Sequence, residues 1–182
     1  MNRSTRVIID AMEFPIKKLA NLDVQSATWS NSKNRNTLKL LVGCTPNGVL
    51  SFVSSLYGGR ISDKELTKRS GLLQKMEPGY SIMADRGFDT DDVLPDRVST
   101  NIPPFLGSRK QLEYEEVVST RWIATVHIHV ERAIERIKNF RITHFFQATL
   151  CPIAEHIVHV CAFLTLFDDP LLPSEKSPFM TI

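Results

Sequence analysis

SIMADRGF, residues 81–88, is a short apolar run that ends abruptly on an acid. Ile82, Met83 and Ala84 are apolar; Asp85, Arg86 and Gly87 follow. Such a run bounded by turn residues predicts a buried strand. The glycine lets the chain turn sharply behind it. A strand placed this way delivers one carboxylate to its carboxyl end, where open α/β sheets hold their sites. Taken alone, the stretch reads more simply as a strand that stops at a polar turn.

The same arrangement occurs earlier. In RVIIDAMEFP, residues 6–15, the β-rich run from Val7 to Ile9 meets Asp10, and Glu13 follows three residues later. Residues 19–36 are polar, with the basic cluster KNRN at 33–36, and predict a long connection rather than a core element. Residues 36–43 alternate in part, TPNG at 45–48 is a strong hairpin turn, and VLSFVSSLY at 49–57 is the return strand. Ser62 and Glu65 form the S-x-x-E pattern of a capping box, opening a helix to about Leu72. EPG at 77–79 stops it. Residues 89–96 are acidic and predict a short helix or loop, and NIPPFL at 101–106, with two prolines, predicts an edge or irregular strand.

Residues 112–140 carry the longest helical pattern. Trp122, Ile123, Val126, Val130, Ala133, Ile134 and Ile137 fall on one buried stripe. A last apolar helix is predicted over 153–167, and a loose tail over 168–182. The order β–β–β–α–β–(short)–(β)–α–α describes one mixed-sheet α/β domain over residues 7–167.

Composition narrows the function class. A chain of 182 residues can bury a real core, and no apolar run approaches the ~20 residues of a membrane span. The three cysteines are widely spaced without a CxxC pair, which argues against a zinc knuckle and against a disulfide framework. A net charge of +2 neither demands nor excludes nucleic acid, because local clustering of charge matters more than its sum.

Three acids stand out by position. Asp10 ends the first predicted strand, Asp85 ends the fourth, and Glu131 lies inside the long helix. His127 at i−4 and Lys138 at i+7 share the face of Glu131, beside the apolar stripe. Carboxylates converging from two strand ends and a helix suit Mg²⁺ or Mn²⁺, hard cations that take oxygen ligands. Each acid also has an ordinary reading: Asp10 and Asp85 as turn caps, Glu131 as a solvated ion-pair partner of Lys138.

The stretches VIIDAMEFPI, SKNRNTLKLLVGCTPNGVLSFVS, LYGGRISDKEL, SGLLQKMEPGYSIMADRGF, NIPPFLGSRKQL and HIHVERAIERIKNFRI stand in order from residue 7 to about 142, and CAFLTLF extends them to about 167. In this the chain resembles the catalytic domain of DDE superfamily endonucleases, the Harbinger-like transposases. The resemblance implies a ribonuclease-H-like fold, a mixed sheet with flanking helices. It implies divalent-metal-dependent cleavage of DNA by a two-metal mechanism that leaves a 3′ hydroxyl. By position, Asp10, Asp85 and Glu131 resemble the catalytic, metal-holding triad, and Asp63 in GGRISD resembles a further acid at the metal site. Lys138 resembles the basic residue that contacts substrate phosphate, with His127 standing where relatives usually carry Arg. Ser32 stands where relatives often have an aromatic residue.

The resemblance also implies a nuclear protein whose partner is DNA. A separate DNA-binding protein or subunit would accompany it, because no zinc-ligand spacing is present and only nine residues precede Asp10. It leaves room for a homo-oligomer, and no membrane association is expected. Two other readings share the pattern: a domesticated, catalytically inactive module that binds DNA or protein, and a ribonuclease-H-like RNA hydrolase. Lys33, Arg35, Lys39 and Arg60 are candidates for a phosphate track.

Overall fold

In the computed structural model, which describes residues 5–88, 92, 94–104, 109, 111 and 113–171, strand β1 (Thr5–Pro15) forms the middle of the sheet. Its side chains alternate between two cores, as the two-residue period of a strand requires. Ile8, Met12 and Phe14 join one cluster, and Val7 and Ile9 join the other. Burial on both faces explains why the strand reads as a nearly continuous apolar run.

Two short elements follow, α1 (Leu22–Thr28) and β2 (Trp29–Ser30). Then comes β3 (Arg35–Cys44), antiparallel to β1, and its hairpin partner β4 (Leu50–Val53). Gly48 closes the turn at φ +83°, and its N–H donates to the Thr45 carbonyl at 2.8 Å. β5 (Tyr57–Gly58) returns to pair with β3. After α2 (Asp63–Arg69), β6 (Ser81–Met83) runs parallel to β1, and β7 (Ser99–Asn101) runs parallel to β6. The sheet order is β2–β3–β1–β6–β7, with β4 and β5 also on β3.

Helix α3 (Tyr114–Lys138) and helix α4 (Ala154–Leu164) complete the chain. Ile123, Val126, Val130, Ala133, Ile134 and Ile137 of α3 bury themselves in the same cluster as Ile8, Met12 and Phe14. Leu66 of α2 lies in the other cluster, with Val7, Ile9 and Ile82. Helices thus flank both faces of a mixed sheet, an α/β architecture consistent with the ribonuclease-H-like fold. Among the described residues no helix is long and apolar enough to cross a membrane.

Several sequence expectations change. Residues 19–36 hold α1 and β2 rather than an unbroken connection. The return strand divides into β4 and β5 at Ser54, whose hydroxyl accepts the Leu41 N–H at 2.9 Å in place of a backbone carbonyl, while its own N–H still donates to the Leu41 carbonyl at 2.9 Å. α2 ends at Arg69, and of the expected capping box only the Ser62 half forms, since Glu65 turns to Arg69. Asp10 lies within β1 rather than at its end, because antiparallel pairing with β3 continues to Pro15. β6 ends at Met83, two residues before Asp85. The edge strand β7 ends at Asn101, ahead of both prolines, which cannot donate to a ladder. Residues 89–91, 93, 105–108 and 172–182, where parts of the acidic segment, the edge stretch and the tail were expected, lie outside the described residues. Within the expected tail, Leu171 packs against the first core cluster.

Candidate active site

Asp10 shares the parity of Ile8 and Met12, so its carboxylate is on the α3 side of the sheet. It is half-buried, and its Oδ1 accepts the Ala11 N–H at 2.7 Å. Burial is the main influence on its pKa and raises it. The Ala11 N–H and the charge of His127 oppose that shift, whereas Glu131 and Asp63 add to it. Asp10 therefore lies within electrostatic reach of residues from α2 and α3.

Helix geometry explains the α3 pair. His127 and Glu131 are one turn apart and occupy one face. Glu131 is exposed, and its charge acts on Asp10. His127 is half-buried, and its Nδ1 is enclosed with no hydrogen-bond partner among the described residues. Its neighbour His129 is buried, and burial together with the charge of Arg132 lowers its pKa.

Asp63 opens α2 and forms an ion pair with Lys39 at 2.7 Å. Its Oδ2 stands 3.2 Å from the position a Cβ would take on Gly87. The glycine thus lets the turn behind Asp85 approach Asp63 closely. Asp85 itself is exposed, and its Oδ1 accepts the Arg86 N–H at 2.7 Å. The parallel register pairs Ile8 with Met83, where β6 ends, and Asp85 follows two residues beyond the strand. Lys138, the last residue of α3, is exposed; His144 Nε2 lies 2.8 Å from its carbonyl oxygen.

Sequence reading passed over one buried pair. Glu13 and Lys39 face each other across β1 and β3. The Glu13 side chain is only 8% exposed and stands 3.9 Å from Lys39 Nζ. Thr37 Oγ1 donates to Glu13 Oε2 at 2.7 Å. An acid on one strand and a lysine on another become partners only once the register is known, so no local pattern marks them. Lys39 links Glu13 to Asp63 and is thereby removed from the exposed phosphate track in which it was placed.

The donors suit a hard divalent cation in kind. They are carboxylate oxygens, and two acids disfavour the charge on a third, an excess that such a cation neutralises. In placement they stand apart. Among the described residues no three His, Cys, Asp or Glu side chains are gathered as a metal site. Asp63 is turned to Lys39 and Asp85 to the Arg86 N–H.

A family model described as DDE superfamily endonuclease matches residues 9–165. No curated protein and no solved structure matches the chain. The family match runs from β1 through α4 and takes in Asp10, Asp63, Asp85 and Glu131. Spanning most of the chain and agreeing with its mixed sheet, it establishes that the chain belongs to the DDE superfamily endonucleases.

Proposed function

We propose that this chain is the catalytic domain of a Harbinger-like transposase and cuts phosphodiester bonds in DNA. The observation that carries the reading is Asp10, a half-buried acid on the central strand with Asp63, His127 and Glu131 within electrostatic reach. Asp10, Asp85 and Glu131 would hold Mg²⁺ or Mn²⁺, with Asp63 beside them. Two such ions supply the charge that activates an attacking oxygen and stabilises the leaving one. The protein's part is positional. β1 fixes Asp10 through the Ala11 N–H, and the 85–87 turn aims Asp85. His127 and Lys138 would meet substrate phosphate from one side of α3. The DNA substrate implies a nuclear setting, and a separate DNA-binding protein or subunit, or a second copy, would select the target.

A specific observation favours the second reading, a domesticated and inactive binding module: among the described residues the acids are not gathered, and Asp63 is engaged by Lys39. Nicking of supercoiled DNA with Mn²⁺ or Mg²⁺ separates the two. The wild type is expected to nick, and Asp85→Ala to lose at least ~100-fold in rate, since removing a member of a catalytic unit costs orders of magnitude. Equal cleavage by both proteins, or none by wild type joined to a DNA-binding domain, would sink the catalytic reading.

A further inference from the structure

Helix α4 is apolar on two sides. Ala154, Val158, Cys161 and Ala162 are buried in the first core cluster. Ile153, His156, Val160, Phe163 and Phe167 are exposed and recur at alternating three- and four-residue steps, the a/d spacing of a helix–helix seam. His156, Val160 and Phe163 belong to the helix itself. Ile153 and Phe167 stand in the 3₁₀ turns at its two ends, Cys151–Ile153 and Thr165–Phe167. Phe167 is 76% exposed, Phe163 59% and Val160 57%. A helix that is apolar all round belongs in an interior, and here one side of it faces water.

The patch is large and uncharged. With Ile153, Leu164 and Leu166, the three most exposed side chains leave roughly 600 Å² of apolar surface in water, taking about 200 Å² for a side chain of this size. That is the upper end of what a monomer usually exposes, and it suffices for the apolar centre of one side of a standard interface, ~800 Å² per partner. Phe163 and Phe167 meet edge to face at 5.4 Å between ring centroids, so the two bulkiest groups hold each other in place. Phe163 and Leu166 also line a cavity of about 210 Å³ with Leu50 and Phe52 of β4, which carries the apolar area onto the sheet. No charged residue stands between Glu155 and Asp168 in the chain. Glu155 itself is engaged internally, by Ser55 Oγ and the Leu56 N–H.

These features select the occupant. A face without charge carries little by which to choose a different protein, but it meets an identical face without like-charge repulsion. The stripe is also symmetric about Val160. An antiparallel pair with its two-fold axis there sets Val160 against Val160 and Ile153 against Phe167, the smaller group facing the larger at each end. Two such faces together remove about 1,200 Å² of apolar side chain from water, enough for a stable complex. We propose that a second copy of this chain packs antiparallel on the outward face of α4, with the two-fold axis beside Val160. The proposal is independent of the nuclease reading and requires neither DNA nor metal.

Sedimentation equilibrium of the full chain over a micromolar concentration series tests it. The wild type is expected at twice the monomer mass. The double substitution Val160→Glu, Phe163→Glu is expected to weaken the dimer at least ~100-fold, because it buries unpaired charge at the centre of the interface. Both side chains are exposed in the single chain, so the far-ultraviolet circular dichroism should not change. A control, Leu22→Glu with Tyr114→Glu, puts the same charges on apolar side chains exposed elsewhere and is expected to stay dimeric. Val160→Cys locates the axis: with copper–phenanthroline as oxidant it should form a disulfide-linked dimer, beyond any that the wild type forms through Cys151. A monomeric wild type overturns the proposal and leaves the face to a different protein. A dimer that survives the double substitution, or is lost equally in the control, places the interface elsewhere and also overturns it. Absence of the Val160→Cys cross-link overturns the two-fold arrangement. If the double substitution loses its helical spectrum, that cross-link alone decides.

Discussion

Burial decides the chemistry of individual side chains here, and Asp10 and Cys44 show two of its consequences. At Asp10 the raised pKa has an external remedy, because a divalent cation can offset both the desolvation and the neighbouring acids. Cys44 has none. Its thiol is fully buried, and burial pushes its pKa from an ordinary 9.0 up to about 12. Between those values the unfolded chain gives up the proton and the folded chain keeps it. The folded state then binds more protons, so stability falls as pH rises through that interval. Urea midpoints taken from pH 8 to 11 should decline in the wild type. Cys44→Ala, corrected for its own loss of packing, should decline less. Native alkylation at pH 8 should reach Cys151 first and spare Cys44, since Cys151 is only half-buried.

At the scale of elements, apolar periodicity separates what was legible from what was not. The stripe of α3 announced itself because its apolar residues recur at helical spacing over many turns. Helix α1 gave no such signal, for it is short and leaves Leu22 exposed at 77%. It is held by polar contacts instead. Asn21 Oδ1 accepts the Asp23 N–H at 2.8 Å, and Asn36 Nδ2 donates to the Gln25 carbonyl at 2.8 Å. Asn21 caps the helix, and Asn is a residue type that does so, but no apolar stripe follows it. The joint between α1, β3 and β5 is tight. A Cβ on Gly59 would collide with Thr37 Oγ1 and come within 3.0 Å of the Thr28 carbonyl oxygen. Thr37 Oγ1 is also the donor to Glu13. Gly59→Ala should therefore destabilise by about 2 kcal/mol or more, with backbone on one side and a committed hydroxyl on the other. Chemical denaturation would measure it, and a midpoint equal to wild type would show that the joint can yield.

Across the whole molecule, the first core cluster binds the sheet to both long helices. Ile137 is fully buried in it, near Phe14 of β1 and Phe146 in the chain leading to α4. The two rings meet edge to face at 5.8 Å between centroids. Truncating Ile137 removes contacts shared by sheet and helices, so Ile137→Ala should cost about 2–5 kcal/mol. Urea denaturation checks the magnitude, and coincident loss of far-ultraviolet circular dichroism and aromatic fluorescence checks that the cluster unfolds as one unit. A further tie holds α4 to the break between β4 and β5. Glu155 accepts from Ser55 Oγ at 3.1 Å and from the Leu56 N–H at 3.0 Å. That tie spans about a hundred residues, and sequence pattern alone could not reveal it.

Sequence by itself determined the apolar strand segments at 7–9 and 82–83, the TPNG turn and the long amphipathic helix. Each is written as a local period or a local backbone demand, and such signals need no partner. It also marked Asp10, Asp85 and Glu131 as acids at element ends or on a helix face. Tertiary structure decided the rest. The register of β1 on β3 paired Glu13 with Lys39 and drew Lys39 onto Asp63, which took that lysine away from the exposed cations. The packing of α3 along β1 set Lys138 in one cavity wall with Lys33 and Arg35, and Arg60 in another. Strand register and helix docking are set by the whole core, so residues far apart in the chain become neighbours only when that core has formed.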